Sequence, residues 1–181
     1  MTATHESTRK LVHIHSISFN SNKTFFTVCL EEGLRIYQTD PLELYQCLCW
    51  SVCGSVRVAE QLDSSCAVVM AGGGKRPKMP DNVAMLYNFS TNVFGARFKV
   101  PSPILNLLIR DDKLVMVMQR EIEVYDVSLF PLNNIQRGVT YTTCPNDKGL
   151  CQMSRDFAEQ HVLCYPGTTE GSVQIVVSTR L

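Results

Sequence analysis

Four segments of the chain read alike: GLRIYQTD from Gly33, NVAMLYNF from Asn82, EIEVYDVS from Glu121 and GSVQIVVS from Gly171. Each starts polar or with glycine and alternates into β-branched or aromatic residues. Tyr37, Tyr87, Tyr125 and Ile175 stand 50, 38 and 50 residues apart. An apolar run precedes each segment (TFFTVCL, SCAVVMAGG, KLVMVMQ, QHVLCYPG), and a further run precedes that (IHSISFN, GSVRVAEQL, ILNLLIRDD, KGLCQMS). Short runs rich in Val, Ile, Phe and Tyr between turn residues are strand signals, and helical spacing is nearly absent. Three strands per unit, with a polar segment between units to supply a fourth, at a period of about 40 to 50 residues, is the pattern of a WD-repeat β-propeller. The expected fold is therefore all-β, with blade one at about 14–42, blade two at about 54–91, blade three at about 103–130 and blade four at about 147–177. A β-sandwich with coincidental strand similarity is the alternative. No Trp-Asp closes a third strand, and Tyr125-Asp126 comes nearest, so the blades are divergent ones.

Charge excludes any long-range field. Lysine plus arginine balances aspartate plus glutamate at 17 each, which favours neither nucleic acid nor an anionic membrane, so any anion site must be local. Apolar runs such as LVMVM at Leu114 to Met118 fall far short of the roughly 18 residues that span a bilayer. The start, MTATHESTRK, carries no apolar signal region, and a cytoplasmic address is expected. Three of the eight cysteines, Cys47, Cys49 and Cys53, crowd into CLCWSVC, but no second pair follows at zinc spacing, and no metal or cofactor is expected. Cys29, Cys66, Cys151 and Cys164 sit in apolar segments, where free cysteine acts as a small buried hydrophobe.

The stretch AGGGKRPKMP, Ala71 to Pro80, raises nucleotide binding as a possibility. A P-loop needs Gly-Lys followed by Ser or Thr and then a helix whose amino end faces the phosphates. Here Arg76 and Pro77 follow Lys75, and the next ordered segment reads as a strand. Within the repeat the stretch is expected to be a long hairpin loop between the second and third strands of blade two. Its bases Lys75, Arg76 and Lys78 are the candidate contact for a partner or an anion, against the plainer reading of a solvated loop. An enzyme using this loop for nucleotide chemistry is the least supported reading. No catalytic residue is nominated.

At this loop the chain resembles a known family. VVMAGGGKRPKMPDNVAMLYN, DKLVMVMQREIEVYDV, NDKGLCQMS with HVLCYPGTTEGSVQIV, and FNSNKTFFTVCLEEGLRIYQTDPL together look like the PROPPIN or WIPI proteins, nearest the subgroup of WIPI-three and WIPI-four. The resemblance runs from about Ile17 to Val176. It implies a seven-bladed propeller of which this chain holds about four blades, a truncated or alternatively ended member. It also implies autophagy: recognition of phosphatidylinositol 3-phosphate and the 3,5-bisphosphate at the phagophore membrane, recruitment of lipid-transfer or conjugation proteins, and no catalysis. The family's lipid site uses a Phe/Leu-Arg-Arg-Gly motif, whose guanidinium forks pair with phosphate oxygens. No two arginines are adjacent in this chain, so no phosphoinositide-binding residue is nominated. A protein-interaction fragment without lipid binding is the alternative, since the early blades contribute to partner docking in the resembling subgroup. Half a ring would leave an apolar face bare at either end.

Remaining candidates read as structural. Asp111 and Asp112 fit a turn between strands. His13 and His15 alternate on one strand face without a third ligand. Asn22-Lys23-Thr24 and Asn88-Phe89-Ser90 match the glycosylation sequon, which has no meaning at a cytoplasmic address.

Overall fold

In the computed structural model the described residues are 12–62, 65–110, 113–127, 135–154 and 160–179. They form four antiparallel sheets in chain order. Blade one comprises β1 (Ile14–Phe19), β2 (Phe25–Leu30), β3 (Gly33–Gln38) and β4 (Glu43–Cys49), hydrogen-bonded in that order. A helical turn, α1 (Trp50–Cys53), leads into blade two: β5 (Gly54–Gln61), β6 (Ala67–Pro77), β7 (Val83–Asn88) and β8 (Val93–Lys99). Blade three holds β9 (Asn106–Arg110), β10 (Lys113–Val117), β11 (Glu121–Val127) and β12 (Ile135–Thr142). Blade four has β13 (Gln152–Met153), β14 (Gln160–Pro166) and β15 (Val173–Thr179). The polar segments between the repeated triplets supply the fourth strands of the first three blades. Asp111 and Asp112 lie outside the described residues.

Alternation places the core between the blades rather than within one. Successive strand residues point to opposite faces, so each sheet has two faces to cover. One face of blade one sets Cys29, Leu34 and Ile36 against Val56, Ala59, Val68 and Met70 of blade two. Blade two in turn sets Val69, Ala71, Leu86 and Phe98 against Leu107, Ile109, Leu114 and Met116 of blade three. Val115, Val117 and Ile122 meet Leu163 and Tyr165 of blade four. The first strands of neighbouring blades, β1, β5, β9 and β13, touch in succession and so line the propeller axis. The outward faces at the two ends are apolar, as expected: Phe19, Phe26 and Tyr37 form an aromatic ladder on blade one, and Val173, Ile175 and Val177 stand exposed on blade four.

Hydroxyls tie the first seam. Ser16 Oγ donates to Arg57 O at 2.8 Å, while Ser18 Oγ and Thr27 Oγ1 donate to Ala59 O at 2.8 and 2.9 Å. Carbonyls of β5, an edge strand of its sheet, thus receive bonds from the adjacent blade. Thr27→Val removes one such bond from a buried position while Ser18 still serves Ala59 O, so a loss of about 1 kcal/mol in urea unfolding is expected. An unchanged midpoint would show that the seam is held by apolar packing alone.

The segment KGLCQMS departs from its expected strand. Only Gln152 and Met153 pair, with Cys164 and Leu163. The preceding residues are held by side chains instead: Asn146 Oδ1 accepts the Leu150 N–H at 2.8 Å, and Asn106 Nδ2 donates to Gly149 O at 3.0 Å. Asparagine competes well for backbone groups, and here it replaces the ladder.

Candidate functional site: a cationic rim at the seam of blades one and two

The Gly-Lys stretch is strand, not loop. β6 runs through Pro77, pairing with β7 only as far as Ala71, opposite Ala84. Beyond that it continues along β5 alone, Val56 facing Gly72 and Gly54 facing Pro77 through two irregularities of register. The reversal into β7 falls at 78–82. Glycine marks turns often, but here it permits close approach. A Cβ on Gly72 would lie 1.9 Å from the Met79 carbonyl oxygen. One on Gly74, at φ +86, would lie 2.7 Å from His15 Nε2 and 2.6 Å from Glu31 Oε1 of blade one. The strand end is therefore pressed between its own return and the neighbouring blade.

That pressing fixes the three cations. The Lys75 N–H donates to both carboxylate oxygens of Glu31, at 3.1 and 3.2 Å, and the Arg76 N–H donates to Ser55 Oγ at 3.0 Å. On the other side of Glu31, His15 Nε2 lies 3.0 Å from Oε1, and the His13 ring meets His15 edge-on at 4.8 Å. Lys78 Nζ donates to Ser51 O at 2.6 Å. Trp50, in α1, gathers both charges: the Arg76 guanidinium lies 5.3 Å and Lys78 Nζ 5.4 Å from its ring centroid, within cation–π range. All three basic residues are exposed, and none takes part in the ion pairs found among the described residues. The result is positive charge on an ordered backbone, with its nearest carboxylate already engaged.

This arrangement can hold an anion but does not form a nucleotide loop. β6 leads into the strand β7, so the amino end of a helix does not face the phosphates. Sequence reasoning found Lys75, Arg76 and Lys78 and missed Trp50, Ser51, Ser55 and Glu31. Trp50 carried a signal: it is the sole tryptophan in the sequence.

Cysteine chemistry divides by burial. Burial raises the thiols of Cys29 and Cys151 to about 12 and that of Cys53 to about 11. Cys49 is exposed, and the Ser51 hydroxyl, 2.8 Å from its Sγ, lowers its pKa. The thiolate is the reactive form, so at mildly alkaline pH iodoacetamide is expected to label Cys49 first and to spare Cys29, Cys53 and Cys151 until denaturant is added. Equal rates at Cys49 and Cys29 would contradict this placement. Cys144, Cys151 and Cys164, scattered in sequence, line one open cleft of about 790 Å³ beside blade four, and among the described residues no group of three His, Cys, Asp or Glu is placed to hold a metal.

No protein-family model matches the chain. It is 28% identical over 159 residues to SVP1-like protein 2 of Pichia angusta, covering 88% of this chain and 43% of that one. It is 28% identical to Autophagy-related protein 18 of Eremothecium gossypii, covering 84% of this chain and 27% of the relative. Among solved structures, Hsv2 of Kluyveromyces marxianus superposes with a TM-score of 0.71 at 16% identity, over 90% of this chain and 45% of Hsv2. The complex of KlAtg21 with the coiled coil of AgAtg16 gives 0.68 at 18% identity, over 91% of this chain and 51% of the matched one. The chain thus spans less than half the length of the curated relatives it matches. By sequence the chain is similar to the SVP1-like and Autophagy-related protein 18 proteins, and by fold to the β-propellers of Hsv2 and KlAtg21.

Proposed function

We propose that this chain acts in autophagosome formation as a non-enzymatic scaffold, peripheral to phosphoinositide-bearing membranes, and that it meets an anionic partner at the Lys75–Arg76–Lys78 rim. Kinship to Autophagy-related protein 18 supports the process. The observation that carries the site is three exposed cations held in register by Glu31, Ser55, Ser51 and Trp50, in a chain whose net charge is zero. Long cationic side chains lose conformational freedom when they bind, and prior ordering by the Trp50 ring and the Ser51 carbonyl lowers that cost. No helix among the described residues is long and apolar enough to cross a membrane. Blades two and three would dock a protein of the conjugation machinery, of the kind seen with KlAtg21, a coiled coil like that of AgAtg16.

The test is capture of the folded chain on such a coiled coil, followed by its recruitment to phosphoinositide vesicles. Saturable binding in either assay supports the scaffold reading. A monodisperse, folded sample that binds neither would overturn it.

A further inference from the structure

We infer that the anion met at the blade one–blade two rim is a lipid bilayer surface, with Trp50 and Val52 entering the interfacial layer while Lys75, Arg76 and Lys78 meet the phosphates. The inference rests on the anionic-partner reading and names the partner. Three observations carry it. The turn α1 exposes Trp50 and Val52, at 42% and 40%, with the Arg76 and Lys78 charges over the Trp50 ring. Tryptophan with flanking Lys and Arg is the composition of a membrane interface, because the indole is apolar with one polar N–H and the cations meet the headgroup charge.

The apolar exposure also continues away from the rim. Along the outer strand of blade one, Cys47 and Cys49 are exposed at alternate positions leading up to Trp50. A purely acidic peptide would satisfy the cations and leave the exposed Trp50 and Val52 side chains wet. A bilayer surface takes both parts. Charge complementarity is local: the rim's one inward carboxylate, Glu31, is committed to the Lys75 N–H and His15, leaving the side-chain charges of Lys75, Arg76 and Lys78 facing outward.

Trp50 is the only tryptophan, so its fluorescence reports this site and nothing else. The chain is titrated with vesicles of phosphatidylcholine, with and without phosphatidylserine, and separately with an oligoglutamate peptide. The expected result is a blue shift with the phosphatidylserine vesicles, quenching by lipids brominated in the acyl chain, and reversal by salt. Lys75→Ser combined with Arg76→Ser and Lys78→Ser should lower partitioning by about two orders of magnitude. These are exposed positions, and circular dichroism of the triple variant checks that the fold survives. A Trp50 response to the peptide but not to vesicles would overturn the bilayer and leave the anionic reading. A response to neither would overturn both. Pelleting of the chain with Trp50 unchanged would place membrane contact elsewhere and overturn the inference alone.

Discussion

Replacing Glu60 by leucine is expected to lower the unfolding free energy by about 3–5 kcal/mol, while the double change Glu60→Leu with Arg110→Met is expected to come within about 1–2 kcal/mol of the parent. Glu60 on β5 and Arg110 on β9 form an ion pair across the seam of blades two and three, at 3% and 7% exposure. Arg110 Nη1 also donates to Ile109 O at 2.5 Å, and its Nε has no hydrogen-bond partner among the described residues. Removing only the carboxylate strands a guanidinium at 7% exposure, whose desolvation is then uncompensated. Removing both charges leaves apolar side chains of similar volume beside Leu108, which lines the same cavity. The pair Lys113–Asp126 provides the contrast, because it is partly exposed and solvent screens it. Asp126→Asn should cost less than about 1 kcal/mol. Urea unfolding of the four proteins checks all three values, and equal losses for the single and double variants at Glu60 would show that the charge pair is not what the seam depends on.

Gly72→Ala should cost about 3 kcal/mol and disturb the rim at the same time. Its Cβ would meet the Met79 carbonyl oxygen at 1.9 Å and the carbonyl carbon at 2.7 Å. Both are backbone atoms, so no side-chain rotation relieves the contact, and the strand end and its return must part. Lys78 precedes Met79, so the separation should carry its Nζ away from Ser51 O and from the Trp50 ring. Gly171→Ala isolates the conformational part of the penalty: φ is +81 there, but nothing lies within 4 Å of an added Cβ, so only the left-handed strain of about 1–2 kcal/mol applies. Thermal unfolding gives the stability difference and Trp50 emission gives the rim. A Gly72→Ala protein as stable as the parent, with unchanged emission, would contradict the close approach.

The blade pattern was legible because a blade packed on both faces makes its inner strands continuous apolar runs, as Val68-Val69-Met70 in β6 and Leu114-Val115-Met116-Val117 in β10 are. Fourth strands were harder to read. β4 is largely exposed, with Leu48 alone buried, and β8 alternates exposed Val93, Gly95 and Arg97 with Phe94, Ala96 and Phe98, of which only Phe98 is fully buried. The Gly72–Gly74 run was assigned to a loop because glycine signals a turn locally, whereas its reason here is tertiary: Met79 and blade one leave no room for a side chain.

The same boundary separates what was seen of the site from what was not. Lys75, Arg76 and Lys78 stand together in sequence and could be nominated. Their supports, Glu31 and Trp50, come from blade one and are brought near only by blade stacking. Glu60 and Arg110 were silent for that reason too, since two charges 50 positions apart in strands give no local sign that they pair in a buried seam.

The proposed membrane contact rests on fixed positive charge at one rim, in a sequence where no two arginines are adjacent. The most direct measurement is co-sedimentation of the monodisperse chain with vesicles carrying phosphatidylinositol 3-phosphate and with phosphatidylserine vesicles matched to them in surface charge. Equal pelleting from the two, lost together in the Lys75, Arg76 and Lys78 serine variant, is the expected result. Selective pelleting with phosphatidylinositol 3-phosphate, retained in that variant, would contradict it and reveal a headgroup pocket elsewhere in these four blades.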